Sequence, residues 1–274
     1  MSFIGFLSDF GLEDEWVAAC KGVMYQISPL SIILDISHEI PPFNIQKGAL
    51  VLAASLPYCP VGVYMAVVDP GVGGSRRPLA VKVGRGDILI GPDNGLLILA
   101  AEKLGGIELC VEITNRQYML ESVSPTFHGR DIFAAAAAHL SNGVDIAAVG
   151  PQVDPALLTG VPWPKPVIEP GRITCQIIDI DRFGTLRLSI DAPGFKELGI
   201  SIGGSLWAKV SGHRHLMPFV ETFEAVSAGE FLVIIDSANW VSIAQNLGSA
   251  AQQLGASIGD EAILVAPAHE ASGI

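Results

Sequence analysis

The chain has 274 residues, of which half are hydrophobic and 16% are charged, so it is long enough for one or two domains and too apolar for a disordered protein. Its formal net charge of −12 argues against nucleic acid and anionic membranes as partners, because phosphate groups attract basic surfaces. The most apolar segment, residues 49–68, contains Pro57 and Pro60 and therefore predicts two core elements instead of a membrane span. Four scattered cysteines without a CxxC spacing, and an N-terminus without the basic start of a signal peptide, predict a cytoplasmic protein with reduced thiols.

Short apolar runs alternate with helical patterns through the first 160 residues. In chain order, the pattern predicts a strand at FIGFLSD, a helix at DEWVAACKGVMYQIS, a strand at SIILDIS, a helix at IQKGALVLAASLPY, strands at GVYMAVVD, LAVKVG and DILIGPDN, and a helix at GRDIFAAAAAHLSNG. This alternation predicts an α/β domain with a largely parallel sheet and helices on its faces. Ligands of such sheets bind beyond the carboxyl ends of the strands. The polar residues found there are Asp9, Asp35 to His38, Asp69, and Asp93 with Asn94.

The pattern changes after the segment TGVPWPKPVIEPG, which has four prolines in thirteen residues and is typical of an interdomain linker. Short strands with glycine turns follow, which predicts an all-β module, a small barrel. We therefore predict an N-terminal α/β domain over residues 1–160, a proline-rich linker over 161–170 and a C-terminal β-barrel domain over 171–274.

The segment VVDPGVGGSRRP carries the first candidate for a functional site. Asp69 ends a buried strand, and three glycines separate it from Arg76 and Arg77. A surface turn with an ion pair and a functional carboxylate both fit this pattern. His128 stands beside a glycine before the alanine-rich helix and is a better site candidate than the other histidines. Asp9 fits either the start of a helix, where acids favour the dipole, or the binding of ribose hydroxyls.

A two-metal phosphoesterase site is the competing interpretation, built from Asp9, Asp93, Asn94, His38 and His128. The two histidines are far apart in the chain, without the short spacing of many metal sites, and the arginines after Asp69 would repel a cation. We therefore predict no metal site.

Eight segments of the chain carry one family resemblance: LSDFG, CKGVMYQISP, DISHEIPPFNIQKGA, VVDPGVGGSRRP, GPDNGLL, TFHGRDIFAAAAA, IDRFG and DSANWVSIAQN. Taken together, they resemble the S-adenosylmethionine (SAM) hydroxide adenosyltransferases, relatives of fluorinase and chlorinase. The resemblance covers nearly the whole chain. It implies an α/β domain followed by a β-barrel, and a homotrimer with active sites between neighbouring subunits. It also implies SAM as the substrate, water as the second reactant, and no cofactor.

The resemblance also assigns the residues of the site. The catalytic set of the family falls on Asp69, Arg76 and His128, with Arg77 at the surface or at a subunit contact. Five further residues match substrate-binding positions. Asp9 matches the ribose-binding acid, Phe43 an aromatic residue beside the sugar in the halogenating relatives, and Phe127 a residue of their halide pocket. Asp181 and Ser237 match positions that contact the methionine.

The family binds adenine with a Phe-Gly-Asn pattern, and this chain has Phe183, Gly184 and Thr185 at those positions, so it differs at the third. Threonine lacks the paired donor and acceptor of an amide, so we expect backbone contacts from Gln245 to Leu247 to contribute more to adenine recognition.

We therefore expect hydrolysis of SAM to adenosine and L-methionine, by attack of an activated water at the ribose C5′ atom. A carboxylate at Asp69 would repel a halide anion, which favours water over halide as the nucleophile. The alternatives are a halide-using adenosyl transferase and a nucleoside-binding protein without catalysis.

Overall fold

The structure is a computed structural model and describes residues 2–272, so the outermost residues of the predicted domains, Met1, Gly273 and Ile274, lie outside the described residues. The chain divides into two compact units, one ending at Val161 and the other beginning at Pro162. Among the described residues, no helix has both the length and the apolar character needed to cross a membrane.

The N-terminal unit contains a six-stranded sheet with helices packed around it. Its strands are β1 (Phe3–Ser8), β2 (Ile32–Ser37), β3 (Val63–Val67), β4 (Pro78–Val83), β5 (Ile88–Pro92) and β6 (Ile107–Glu112), and its helices are α1 (Trp16–Ile27), α2 (Ile45–Ser55), α3 (Ile98–Lys103) and α4 (Ala135–Ser141). Single 3₁₀ turns cover Leu56–Tyr58, Arg116–Tyr118, Ile146–Val149 and Pro155–Leu157.

The strand order of this sheet is β2-β1-β3-β5-β4-β6. The pairs among β1, β2, β3 and β5 are parallel, and β4 runs antiparallel to both of its neighbours. Every residue of β3 is buried, as expected for a central strand covered on both faces. The prediction of a largely parallel sheet is confirmed, and β6 and α3 are elements that the pattern analysis does not predict.

The helix predicted at GRDIFAAAAAHLSNG has two parts. Gly129–Ala134 is a π-helical segment, and α4 continues it. The carbonyl of Asp131 accepts a hydrogen bond from the backbone N–H of Leu120 at 2.9 Å, a partner outside the helix, where the wider turn occurs. The run of alanines is completely buried because side chains this small let the helix approach the sheet closely.

The C-terminal unit is an antiparallel sheet of eight strands. Its strands are β7 (Val167–Glu169), β8 (Arg172–Ile180), β9 (Leu186–Asp191), β10 (Ser205–Val210), β11 (His213–Pro218), β12 (Phe231–Ile235), β13 (Trp240–Gln245) and β14 (Glu261–Val265), with short helices α5 (Ala192–Lys196) and α6 (Ala250–Leu254) and 3₁₀ segments at Phe223–Ala225 and Pro267–Ser272. β7 lies within the proline-rich segment predicted as a linker and pairs with β8.

The strand order of the second sheet is β11-β10-β14-β8-β9-β13-β12. A bridge between Phe219 and Val233 brings the end of β11 next to β12, so the two ends of the sheet meet and the barrel is nearly closed. Its interior is apolar and includes Ile173, Leu188 and Leu264, each fully buried. The predicted barrel is confirmed.

Two glycines of the N-terminal unit, one in the sheet and one in a helix, test the packing around each of them. A Cβ on Gly91 of β5 would overlap the carbonyl oxygen of Ala66 in β3, so Gly91→Ala should lower the free energy of unfolding by about 1–3 kcal/mol. A Cβ on Gly22 of α1 would meet no atom within 4 Å, so Gly22→Ala should raise it by about 0.5–1 kcal/mol. Denaturant unfolding of both variants measures the two changes. Changes of the same sign would contradict this account of the packing.

Candidate active site

A cavity of the N-terminal unit lies where β1, β2 and β3 end. Because these strands are parallel, their carboxyl ends meet at one edge of the sheet. The cavity has a volume of about 700 Å³, within the range of small-molecule sites. The predicted site residues that line it are Asp9, Phe43, Asp69, Phe127 and His128.

Asp69, Arg76 and His128 form one connected group beside this cavity. The Nε atom of Arg76 donates to both carboxylate oxygens of Asp69, at 3.0 and 2.9 Å, and its terminal Nη2 also donates to Oδ2. The same Nη2 lies 2.8 Å from Nδ1 of His128. The side chains of Asp69 and Arg76 are only 5% and 10% exposed, so the pair is shielded from solvent screening.

The contact with Arg76 determines which nitrogen of His128 carries the proton. A guanidinium has only donors, so Nδ1 must accept and the proton of the neutral ring sits on Nε2. Burial, together with the charge of Arg76, holds the pKa of His128 below its usual value. His128 therefore presents a hydrogen-bond donor at Nε2. It is not arranged to accept a proton at either nitrogen.

The glycine loop after β3 allows Arg76 to return to Asp69. Gly73 has φ +75°, and a Cβ there would overlap the carbonyl oxygen of Pro125. Two successive turns, with hydrogen bonds from Val72 to Asp69 and from Gly74 to Gly71, reverse the chain. The loop thus packs directly against the segment that leads to His128, which brings the three side chains together.

Asp9 follows β1 and faces the same cavity. Its Oδ2 accepts a hydrogen bond from the backbone N–H of Phe43 at 2.8 Å, which joins the end of β1 to the segment between β2 and α2. Burial raises the pKa of Asp9, and the hydrogen bond from Phe43 offsets part of that rise. Helix α1 begins only at Trp16, so the interpretation of Asp9 as a helix-start residue is wrong.

Aromatic side chains form the apolar part of the cavity wall. The ring of Phe127 packs edge-on against Phe10 at 5.9 Å, and the guanidinium of Arg130 lies 4.8 Å from the centre of the Phe127 ring. Arg130 is in turn held by the buried carboxylate of Asp131. Phe10, in the segment after β1, and Trp16, the first residue of α1, also line the cavity and were not predicted. Phe43 is 71% exposed and has φ +66°.

Asp93 and Asn94 are not part of this cavity, contrary to their predicted position at the site. The Oδ2 atom of Asp93 accepts from Nε and Nη2 of Arg77 at 2.8 and 2.5 Å, and its Oδ1 accepts from the backbone of Thr159. Asn94 donates to the carbonyl of Val68. The second arginine of the loop thus engages the second acid, so each of the two arginines has its own carboxylate.

The remaining predicted residues lie in the C-terminal unit, where a cavity of about 350 Å³ is lined by Asp181, Thr185 and Ser237. Oδ1 of Asp181 accepts from the backbone N–H groups of Phe183 and Thr185, both at 2.9 Å, and so stabilises the turn between β8 and β9. Arg187, which was not predicted, lines the same cavity. The sequence feature that could have indicated Arg187 is a single cationic residue inside the apolar strand LRLSI.

Three predicted residues of this unit do not line that cavity. Phe183 and Leu247 are 78% and 90% exposed, and Leu247 has φ +53°. The side-chain amide of Gln245 donates to the carbonyl of Gly229 at 2.8 Å. Within residues 2–272, no three histidine, cysteine or acidic side chains lie together as a metal ion would require.

The assignment of the His128 proton leads to a test by titration. The pKa of His128 should lie below the usual value of about 6.5, and in Arg76→Ala it should rise because the neighbouring cation is gone. His139 is the control, since burial alone lowers its pKa and the variant should leave it unchanged. NMR titration of the imidazole protons measures both. An unchanged pKa of His128 in the variant would contradict its contact with Arg76.

Comparison with known proteins finds matches to both domains of one family and to several similar chains. Residues 4–150 match the SAM hydroxide adenosyltransferase N-terminal domain, and residues 175–263 match the corresponding C-terminal domain. The (R)-S-adenosyl-L-methionine hydrolase of Salinispora tropica is 42% identical over 94% of this chain and 95% of its own. A fluorinase from an Actinoplanes species is 29% identical over 89% of this chain and 90% of its own. The crystal structure of an uncharacterized conserved protein from Thermotoga maritima superposes with a TM-score of 0.90 at 37% identity, over 96% of this chain and 100% of that one.

Proposed function

Because this chain belongs to the SAM hydroxide adenosyltransferase family, we propose that it is an enzyme that hydrolyses SAM to adenosine and L-methionine. The observation that carries this proposal is the group formed by Asp69, Arg76 and His128 at the wall of a cavity that also contains Asp9. An anionic side chain at the position of the nucleophile suits water and disfavours a halide. The hydrolase relative is also more similar in sequence than the fluorinase relative.

The reaction is a displacement at the ribose C5′ atom. The oxygen of water forms a bond to C5′ while the bond from C5′ to sulfur breaks, and sulfur keeps the bonding electrons. Methionine thus leaves as a neutral thioether and needs no acid. One proton is released from the attacking water, so the protein must orient the water and accept that proton.

We assign these two tasks to Asp69 and His128. The Nε2–H of His128 donates to the water oxygen, and the carboxylate of Asp69 accepts the proton. Arg76 positions both groups, because its guanidinium donates to Asp69 and to Nδ1 of His128. Asp9 binds the ribose hydroxyls, Phe43 packs beside the sugar, and Phe127 matches a residue of the halide pocket in the halogenating relatives.

The C-terminal unit supplies the remaining contacts in this proposal. Asp181 and Ser237 bind the amino-acid end of the substrate, supported by their place around one cavity with the cation of Arg187. The adenine contacts are Phe183 and Thr185 together with the segment from Gln245 to Leu247. The exposed ring of Phe183 and the exposed side chain of Leu247 suit contact with the face of a planar aromatic base.

We further propose that the active enzyme is a homotrimer in the cytoplasm, with active sites between neighbouring subunits. Edge strand β2 exposes Ile32 and Leu34, which supports an interface there. The four cysteines, all within the described residues, are free thiols, which suits a reducing compartment. Light scattering should give three times the mass of one chain.

The product of the reaction tests the proposed function. The purified protein should convert SAM to adenosine and L-methionine in water, with or without chloride or fluoride, and chromatography identifies the nucleoside. A 5′-halogenated nucleoside would instead assign the halide-using alternative. Binding of adenosine without turnover of SAM would assign a nucleoside-binding protein. We propose no cofactor, so a chelator should leave the rate unchanged, and a rate restored by a divalent ion would contradict this.

Asp69→Asn tests the assignment of the base, because it keeps the shape of the side chain and removes its capacity to accept a proton. Turnover should fall by about 10²–10⁴, the usual contribution of general-base catalysis, with little change in substrate affinity. Steady-state kinetics with SAM measure both. Near-normal turnover would show that the water is activated elsewhere.

The two neighbouring arginines provide a matched pair. Arg76→Ala should lower turnover in the same direction as Asp69→Asn, since Asp69 and His128 lose their common partner. Arg77→Ala removes an equal charge that pairs with Asp93 outside the cavity, and should have a much smaller effect. Equal losses in the two variants would contradict a specific role for Arg76.

A further inference from the structure

A second connected group of polar side chains reaches the cavity through His38, and the proposed mechanism does not use it. Nδ1 of His38 lies 2.7 Å from Oγ of Ser8, and Nε2 lies 3.1 Å from Oδ1 of Asp35. Oδ2 of Asp35 accepts from the amino group of Lys21 at 2.6 Å. The group therefore runs from the exposed ion pair of Lys21 and Asp35 to a serine that is completely buried.

The direction of the hydrogen bonds in this group follows from Asp35. Burial raises the pKa of Asp35, but the hydrogen bonds from Lys21 and His38 outweigh it and hold the pKa below its usual value. Asp35 is thus an acceptor at neutral pH, Nε2 of His38 donates to it, and Nδ1 accepts from the hydroxyl of Ser8. Burial lowers the pKa of His38, so the ring stays neutral.

His38 lines the cavity but has no free nitrogen for catalysis. Its two ring nitrogens contact Ser8 and Asp35, and His38 is only 4% exposed. The ring also packs edge-on against Phe6, with 4.5 Å between the ring centres. It is therefore neither a base nor a ligand for the substrate in this arrangement. Burying a polar imidazole costs free energy, and the hydrogen bonds of His38 to neighbouring segments offset that cost.

The residues that His38 holds stand on both sides of Asp9. Ser8 directly precedes Asp9, and the backbone N–H of Gly11 donates to the carbonyl of His38 at 2.8 Å. The hydroxyl of Ser8 also accepts from the backbone N–H of Phe10 at 3.4 Å. The side chain of His38 thus fixes the turn on the N-terminal side of Asp9, and its backbone carbonyl fixes the turn on the C-terminal side.

We propose that His38 is a positioning residue for nucleoside binding, which acts through Asp9 by fixing the turn from Ser8 to Gly11. The inference rests on the proposed role of Asp9 with the ribose. It predicts that the effect of removing His38 depends on Asp9, because a turn that no longer carries the carboxylate has nothing to position.

Adenosine affinity, measured by calorimetry in a double-mutant cycle, tests this dependence. His38→Ala should weaken binding by about tenfold, and Asp9→Ala by about ten- to hundredfold, the range for charge-assisted hydrogen bonds. The double variant should bind no more than about threefold more weakly than Asp9→Ala alone. In SAM turnover, His38→Ala should raise KM and leave kcat nearly unchanged.

Conservative and control variants separate positioning from general stability. His38→Asn places an amide oxygen near the position of Nδ1, keeps an acceptor for Ser8, and should recover most of the affinity. His139→Ala removes a partly buried histidine of α4 outside the cavity and should leave the affinity unchanged. If His38→Ala does not fold, Ser8→Ala breaks the same hydrogen bond with a smaller change and replaces it in the cycle.

The outcomes distinguish this inference from the proposed function. A wild-type protein that binds adenosine, together with an unaffected His38→Ala variant, would overturn the inference alone. Losses that multiply in the double variant would also overturn it, because His38 would then act independently of Asp9. A wild-type protein that neither binds adenosine nor hydrolyses SAM would overturn the proposed function and this inference together.

Discussion

The arrangement of the candidate site depends on the guanidinium of Arg76. It donates to both oxygens of Asp69 and to Nδ1 of His128, in a part of the molecule that is largely closed to solvent. A lysine could not make these contacts, because its ammonium is a single point and the planar fork of arginine presents several donors at fixed angles. One cation thereby orients a carboxylate, determines the tautomer of an imidazole, and links the loop after β3 to the segment before α4.

The loop and the sheet make this contact possible in different ways. The sheet brings the ends of β1, β2 and β3 to one edge, which places Asp9 and Asp69 beside one cavity. The loop then has to turn back sharply, and Gly73 supplies the backbone conformation and the missing side chain that contact with Pro125 requires. A largely parallel sheet is thus combined with one sharply turned loop.

The two polar groups around the cavity have different characters. The group of Arg76 contains a cation that joins two side chains with proposed catalytic tasks. The group of His38 is a neutral ring with both nitrogens engaged, and it connects a surface ion pair to a buried serine. Asp9 lines the same cavity as members of both groups and accepts a hydrogen bond from the backbone N–H of Phe43. The first group suits chemistry on water, and the second suits the retention of a fixed backbone.

Much of the fold and part of the site follow from the sequence alone. The alternation of apolar runs and helical patterns predicted the parallel sheet, the proline-rich segment preceded a change to short strands, and the polar strand ends predicted where Asp9 and Asp69 lie. These features are local, since the period of the apolar residues depends only on neighbours in the chain. Strand β6 escaped prediction, although it pairs with β4 in the sheet.

Only the tertiary structure decided which partner each charged residue takes. Arg76 and Arg77 are adjacent in the chain, yet one pairs with Asp69 at the cavity and the other with Asp93 outside it. His38 and His128 both belonged to the competing metal site, yet both nitrogens of His38 contact Ser8 and Asp35, and Nδ1 of His128 contacts Arg76. Asp181 has a carboxylate oxygen committed to its own turn. Such choices depend on distances of a few ångströms between segments remote in the chain, and the pattern of apolar residues carries no information about them.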